Sequence, residues 1–251
     1  MKLGKRPAAP QPTDLQLAVY RTSAPLPKTP RVFGHSALVK QPWQMLGNDQ
    51  YGDCVWAGAA HETMLWNAER GKTVVFDATH VLGDYSKVTG FNPHDPNSDQ
   101  GTDVHQALNY RRRTGVADQT AVRHKLGAYV ALTPGSWTQL LSACYVFSAV
   151  GIGIQFPESA MAQFNAGKPW TPVAGSQIEG GHYVPVVGRP TSSYVDVVTW
   201  GKVQRMSASF YEKYCDEAYA ILSTEMLDAG KTLEGFDLGQ LQADLAAIPK
   251  G

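Results

Sequence analysis

The most restrictive feature of the sequence is a stretch of small and apolar residues from 54 to 66, in which Glu62 carries the only full charge. A helix of this composition offers no polar face to water, so we expect it to be buried on most sides. Gly71 ends the stretch, and a polar loop with glycines at 47 and 52 precedes it. At 251 residues and 43% hydrophobic content, the chain can bury such a helix in a sizeable core.

The charge balance argues against several classes of partner. Lys and Arg together number 22, as do Asp and Glu, so no net field draws the chain toward nucleic acid or an anionic membrane. The one basic run, residues 111–113, is interpreted as the solvated face of a helix. The sequence has neither a stretch of about 18 apolar residues nor the apolar run of a secretory signal. We expect no nucleic acid, no membrane, and a location in the cytoplasm or in a particle such as a phage particle.

The cysteines and histidines do not suggest a metal. Cys54, Cys144 and Cys215 are far apart, odd in number and form no CxxC pair, which argues against a disulfide framework or a cysteine zinc site. His94 and His105 also lack zinc-ligand spacing. We expect neither a metal nor another cofactor.

Proline density divides the chain. Seven of the 16 prolines fall in residues 1–42, and proline blocks both helices and central strands, so this part is predicted to be an extended arm that lies over a surface or is mobile. Residues 43–251 form the predicted domain, with a mainly helical part at 43–135, a sheet-rich part at 136–230 and a C-terminal tail at 231–251. A helical front half and a sheet-rich back half indicate an α+β fold.

Periodicity and turn residues place the elements within the domain. Helices are predicted at 54–66, from 104 to near Gly115 after a cap at 101–103, and at 136–148, whereas residues 84–100 are turn-rich. Strands are predicted at 150–156, 181–188, 194–201 and 218–222.

Cys54 stands where a catalytic cysteine would need to stand. A thiol attacks a carbonyl only as the thiolate, and a helix N-terminus with an imidazole nearby lowers the thiol pKa. Asn48 and Gln50, in the preceding loop, are candidates to direct an amide N–H at a developing oxyanion. A cysteine that opens a helix rich in alanine is also compatible with simple packing.

His182 is the matching candidate for a general base. It follows two glycines, Gly180 and Gly181, and begins an apolar strand, where the backbone can approach a cleft closely. Cys54 and His182 are therefore the candidate catalytic pair.

Four motifs, in order, resemble those of the papain-like cysteine peptidases. Tyr-Gly-Asp-Cys-Val-Trp-Ala at 51–57 resembles the family's cysteine motif, although Trp56 is one place late and Asp53 replaces a small residue. Residues 149–154 resemble its Gly-Pro-Val strand, residues 180–188 its Gly-His-Ala-Val strand, and Thr-Trp-Gly at 199–201 its Asn-Ser-Trp-Gly. The loop at 48–54 is also similar to that of small papain-like proteins of phage and bacterial genomes.

The resemblance implies a papain-like fold, in which a helical front half packs on a mainly antiparallel sheet or barrel. It implies that Cys54 is the nucleophile and His182 the base, and that Trp200 shields the histidine. For the oxyanion donor, Asn48 is nearer the family's spacing, whereas Gln50 has the family's residue type.

One departure concerns the group that orients the imidazole. Val198 stands where the family has an asparagine, and valine cannot accept a ring N–H. Asp196 is a candidate substitute because strand alternation puts it on the same face. Asp53 is a second departure, because a carboxylate beside the thiol raises the thiol pKa unless it points elsewhere.

Two functions remain open. The first is a peptidase or amidase that hydrolyses a peptide or protein substrate through an acyl-thioester intermediate. The alternative is a papain-fold protein with weakened catalysis that serves as a structural or binding component, for example of a phage particle, with its arm on a neighbouring subunit. Motif order favours the first, and Val198, Asp53 and the arm favour the second.

Overall fold

The computed structural model of the chain describes residues 1–9, 15–16, 19, 28–228 and 239. The predicted C-terminal tail, except residue 239, lies outside the described residues, as does part of the predicted arm. The elements in chain order are β1 (Phe33–Gly34), α1 (Cys54–Ala68), α2 (Ala78–Thr89), α3 (Val104–Arg113), β2 (Val116–Ala117), β3 (Arg123–His124), β4 (Leu126–Ala131), α4 (Trp137–Phe147), β5 (Val150–Pro157), α5 (Glu158–Asn165), β6 (Ile178–Thr191), β7 (Tyr194–Thr199), β8 (Lys202–Ser207), α6 (Ala208–Tyr214), β9 (Cys215–Ser223) and α7 (Thr224–Asp228).

The centre of the molecule is an antiparallel sheet with the strand order β4-β9-β5-β6-β7-β8, and β1 also pairs with β6. The strands β2 and β3 form a separate two-stranded ribbon. Helices packed on an antiparallel sheet confirm the prediction of an α+β fold. The sheet does not close into a barrel, so of the two predicted forms the sheet is correct.

Both faces of the sheet are covered. Along β6, Val184 and Val186 point into a core that also contains side chains of α4, α5 and α6. Tyr183 and Val187 point into a second core with α1, α2 and α3. Burial on both faces explains why β6 reads as a continuous apolar run rather than as a strict alternation.

Helix α1 is buried in all but one of its 15 residues, which confirms the prediction of a helix surrounded by protein. Glu62 on α1 accepts a hydrogen bond from the Arg111 guanidinium at 2.6 Å and another from the Tyr183 hydroxyl at 2.8 Å. Arg111 is 1% exposed, so the interpretation of residues 111–113 as a solvated face is wrong for Arg111. The run supplies the buried partner that a charged residue on a central helix requires.

Several elements differ from the sequence predictions. Residues 84–89, predicted to be turn-rich, belong to α2, which the Asp77 side chain caps and Gly90 ends with a φ of 77°. Its buried positions, Val81 and Tyr85, are one turn apart but stand among polar residues, which hid the helical period. Strands β2, β3 and β4 lie in the part predicted to be mainly helical, and α5, α6 and β8 were not predicted.

The described parts of the predicted arm contact the same chain's domain. Phe33 and Gly34 pair with β6, and Gln16 forms a bridge with Ala131 of β4. Residues 2–6 run past Cys54, as described below. Among the helices of the described residues, none has the length and apolar composition to cross a membrane.

Candidate active site

Cys54 opens α1 and faces strand β6. Its side chain is 1% exposed, and a backbone hydrogen bond joins the thiol to Tyr183, the residue directly after His182. One turn later, Gly58 packs so tightly on the Tyr183 ring that a β-carbon would clash with it. The absence of a side chain at position 58 therefore lets the start of α1 approach the histidine strand.

His182 is held on three sides. Its Nε2 atom lies 2.7 Å from Thr199 Oγ1, the Trp200 ring stacks on it at 4.4 Å, and Phe156 meets it edge-on at 5.5 Å. Its Nδ1 atom is buried and has no hydrogen-bond partner in the part of the chain that the structure describes. When Nε2–H donates to the threonine oxygen, Nδ1 carries the lone pair that a general base needs. The structure does not join this atom to the Cys54 thiol by a hydrogen bond.

Thr199 thus makes the orienting contact that was predicted for Asp196. The Asp196 carboxylate lies 3.6 Å from the Arg205 Nε atom, and the structure does not bring it to the imidazole. Val198 packs into the core under α1. Sequence reasoning missed Thr199 because it searched for an amide or a carboxylate, whereas a hydroxyl just before Trp200 was the available signal.

The structure separates the two candidate oxyanion donors. Asn48 is buried, and its Nδ2 atom donates to the carbonyl oxygens of Lys2 at 3.3 Å and Tyr51 at 3.0 Å. Gln50 is exposed. The Cys54 backbone N–H, one of the first N–H groups of α1, has no intrahelical acceptor and is a second candidate donor.

Asp53 is fully buried behind the thiol. Burial raises the pKa of its carboxyl group well above the usual range, and the charges of Asp99 and Asp49 act in the same direction. Burial is the larger cause of the raised pKa of the Cys54 thiol, and the charge of Asp53 adds to that rise, as the sequence predicted.

Residues 2–6, here called the cleft segment, lie across the site. The Lys5 N–H donates to the Gly181 carbonyl at 3.0 Å, and Thr102 both donates to the Gly4 carbonyl at 2.7 Å and accepts from the Arg6 N–H at 3.0 Å. A β-carbon on Gly4 would clash with the Gly52 backbone. The cleft segment is therefore bound as an extended strand between the loop before α3 and the strand that carries His182.

Burial keeps both Cys54 and His182 uncharged while the cleft segment covers the site. Burial raises the pKa of the Cys54 thiol to about 12, although backbone hydrogen bonds from Tyr183 and Gly4 act against it. Burial also lowers the pKa of His182 to about 3. Both groups are therefore neutral near pH 7, and a thiolate–imidazolium pair requires the cleft to take up water or substrate.

The other cysteines have different surroundings. Cys144 is buried in the core under α4, where its thiol donates to the Val186 carbonyl. Cys215 is partly exposed at the start of β9, and its thiol donates to the Glu217 carbonyl. The described residues contain no group of three or more histidine, cysteine or acidic side chains that could hold a metal ion.

Solved structures similar to this chain carry the names of cysteine proteases and their precursors. Xylellain, a cysteine protease from Xylella fastidiosa, has a TM-score of 0.66, covers 88% of this chain and 95% of its own, and is 14% identical. ProCathepsin B S9 from Trypanosoma congolense has a TM-score of 0.60 over 87% of this chain and 86% of its own, at 14% identity. Digestive procathepsin L 3 from Tenebrio molitor has a TM-score of 0.59 over 84% and 76%, at 16% identity. The chain has the papain-like fold.

The papain-like fold confirms the expectation drawn from the order of the four motifs. Comparisons with protein-family models and with curated protein sequences find no match. At these identities the structural likeness establishes the fold, and the chemistry is argued from the residues of the site.

Proposed function

We propose that this chain is a cysteine hydrolase, a peptidase or amidase that acts on peptide or protein substrates. The observation that carries the proposal is the arrangement around Cys54. The thiol at the start of α1 lies against β6 at Tyr183, and the neighbouring His182 has its Nε2 atom bound by Thr199. The His182 Nδ1 atom has no hydrogen bond to Cys54 Sγ or to another described residue, so the proposed reaction requires the two side chains to approach each other when the cleft opens. Nucleophile, base and orienting group are the parts that acyl transfer needs.

In the proposed reaction, His182 Nδ1 takes the thiol proton and Cys54 Sγ attacks the substrate carbonyl carbon. Asn48 Nδ2 and the Cys54 backbone N–H donate to the oxyanion. The C–N bond then breaks, and the imidazolium gives its proton to the leaving amine, which leaves an acyl-thioester. Water, deprotonated by His182, attacks the thioester and the C–S bond breaks. The imidazolium then returns its proton to Cys54 Sγ, and the carboxylic acid product is released.

Hydrolysis in this proposal requires the cleft segment to leave. In the cleft segment, the Lys2 carbonyl oxygen accepts a hydrogen bond from the Asn48 amide, and the Gly4 backbone contacts the Cys54 thiol. The chain as described is thus a latent form, and Lys5→Glu is a suitable way to open it because Lys5 Nζ is paired with two carboxylates.

The test uses the full chain and its Lys5→Glu variant with a mixture of fluorescence-quenched peptides. We expect hydrolysis by Lys5→Glu and none after the further change Cys54→Ala. Mass spectrometry of acid-quenched samples should find an acyl adduct on Cys54, with Cys144 and Cys215 as internal controls.

The decisive negative result combines two readings. Rapid alkylation of Cys54 by iodoacetamide shows that the cleft is open. If an open cleft gives neither peptide hydrolysis nor an acyl adduct, the hydrolase proposal fails, and the alternative of a structural or binding component, for example of a phage particle, is the better explanation.

A further inference from the structure

Lys5 is a cation buried inside the cleft. Its side chain has no solvent exposure, and its Nζ atom lies 3.0 Å from Asp216 Oδ2, 3.0 Å from Glu217 Oε1 and 2.9 Å from the Arg6 carbonyl oxygen. An ammonium group has three hydrogens to donate, and here each has an acceptor. The site therefore satisfies a primary ammonium completely.

The walls of this site leave room for a long aliphatic stem. A β-carbon on Gly153 of β5 would clash with the Lys5 side-chain carbons and with Glu217 Cγ, and one on Gly181 of β6 would clash with the Lys5 carbonyl oxygen. We call the site formed by Gly153, Gly181, Asp216 and Glu217 the acidic pocket. Its floor is the start of β9, and its sides are two glycines of neighbouring strands.

The acidic pocket is held in shape by residues that do not touch Lys5. The second carboxylate oxygen of Glu217 accepts from the Tyr219 hydroxyl at 3.2 Å, and this hydroxyl lies 3.1 Å from His105 Nε2. Glu217 and His105 are each 7% exposed. Glu217 is thus also held by contacts with α3 and β9 that do not involve Lys5.

The charges in the acidic pocket depend on each other. Burial alone lowers the pKa of Lys5, but Glu217 and Asp216 raise it above its usual value. Burial raises the pKa of Glu217, and the charge of Lys5 opposes that rise. A neutral side chain in the same place would leave buried carboxylates without a counter-charge, which is strongly unfavourable.

The acidic pocket adjoins the thiol. The backbone of Gly4 contacts Cys54, and the next residue of the same extended chain places its side chain in the acidic pocket. A peptide whose reacting carbonyl lies at Cys54 therefore presents a side chain one or two residues away to Asp216 and Glu217.

We propose that the acidic pocket is the specificity site of the cleft and that it selects substrates with a lysine, or secondarily an arginine, one or two residues from the bond that is cleaved. The inference rests on the proposed function for its second half, cleavage. Its first half, selective binding of a cationic side chain, stands on the Lys5 contacts alone.

Binding is measured first because it requires no chemistry. The protein is the full chain with Lys5→Glu, which keeps its own cleft segment out of the acidic pocket by charge repulsion. The probes are fluorescein-labelled Lys-Leu-Gly-Lys-Arg-Pro, the sequence of residues 2–7, and the same peptide with norleucine for its second lysine. We expect the lysine peptide to bind about thirtyfold or more tightly than the norleucine peptide.

The matched variants are Glu217→Gln and Glu212→Gln, both made in the Lys5→Glu chain. Glu212 is exposed on α6, so its change removes the same charge outside the pocket. Glu217→Gln should abolish the preference, and Glu212→Gln should keep it. Equal Kd values for the two peptides, or no binding of either up to about 1 mM, overturn the acidic-pocket proposal.

Hydrolysis separates this proposal from the previous one. Lysine-selective binding without cleavage of any peptide contradicts the hydrolase function and leaves the pocket in place. Cleavage of norleucine and lysine peptides at equal kcat/KM contradicts the pocket and leaves the hydrolase function in place.

Discussion

A single hydroxyl group determines how His182 is oriented. Thr199 Oγ1 holds Nε2 at 2.7 Å, and the stacked Trp200 ring keeps the imidazole plane fixed. A threonine side chain is short and stiff at χ1, so it replaces a longer amide only because β7 brings it close to the ring. The orientation of the base therefore depends on this one oxygen.

Thr199→Val removes that oxygen and keeps the shape of the side chain. We expect kcat/KM of the Lys5→Glu chain to fall about 10- to 100-fold, because Nε2 loses its acceptor and the Nδ1 lone pair is no longer selected. Thr199→Ser keeps the hydroxyl and should remain within a few-fold of the parent. Equal rates for the valine and serine variants would argue against the orienting role.

Asn48→Ala tests the oxyanion donor. Loss of one preformed donor typically lowers kcat about 100-fold or more, and we expect this effect in the Lys5→Glu chain. Gln50→Ala is the control, because the Gln50 side chain is exposed and should leave kcat unchanged. A reversed result, with the larger loss at Gln50, would reassign the donor.

The sequence predicted the residues of the site unevenly. Cys54 and His182 stand next to strong local signals, the start of a mostly apolar helix and a pair of glycines. Thr199 has only the weak signal of a hydroxyl just before Trp200, and Lys5 has none, because their importance comes from long-range contacts with β6 and β9. Asp196 was chosen by strand alternation alone, which fixes a face of the sheet but not which side chain reaches the imidazole.

At the scale of elements, the cleft segment is a strand bound between two walls. Its backbone hydrogen bonds to Gly181 and Thr102 could be made by a peptide of almost any sequence, whereas the ion pairs of Lys5 require a cationic side chain at that position. The release of this strand should therefore be controlled by Lys5 and its carboxylates.

Cys54 alkylation reports that release. A thiol pKa of about 12, against an ordinary value of 9.0, makes the thiolate about a thousandfold rarer at neutral pH, so iodoacetamide should label Cys54 slowly in the full chain. Lys5→Glu should accelerate labelling by about 100-fold or more. Lys2→Glu, with the same charge change on an exposed side chain, should leave the rate nearly unchanged.

Acid should also release the cleft segment. Docking of Lys5 lowers the pKa of Glu217 relative to the empty pocket, so docking is favoured above that pKa and weakened as the pH falls through it. The neighbouring groups are Asp216, Tyr219 and His105. Residues 1–9 should be protected from hydrogen exchange near neutral pH and lose protection in mildly acidic solution. Unchanged protection, after correction for intrinsic exchange, would contradict this linkage, and Glu217→Gln should have low protection throughout.

At the scale of the molecule, the buried network of Glu62, Arg111 and Tyr183 joins α1, α3 and β6. Helix α1 carries the thiol, α3 follows the loop at Thr102, and β6 carries the histidine. The network therefore fixes the width of the cleft.

Arg111→Met leaves Glu62 buried and uncompensated. We expect the free energy of unfolding in urea to fall by about 3–5 kcal/mol. Arg113→Met, on the exposed side of the same helix, should change it by less than about 1 kcal/mol. Similar losses for the two variants would contradict a special role for the buried pair.

The α+β organisation could be predicted from patterns within the single sequence, whereas the packing of one helix against another could not. The mostly apolar composition of residues 54–66 and of the strand at 150–156 predicts their burial directly. Whether the basic run at 111–113 faces water or a buried glutamate depends on how α1 and α3 pack, which no local period encodes.

The cleft segment and the strand Phe33–Gly34 belong to one continuous chain, so the cleft is occupied by a tethered ligand. Tethered ligands commonly reach effective concentrations in about the millimolar range. Reclosure is then first order, and activity per molecule should not change when the protein is diluted. After a single cut between Arg6 and Phe33, the same contacts would hold two separate chains together, and the complex would dissociate on dilution. One broken peptide bond would therefore make the activity per molecule depend on the protein concentration.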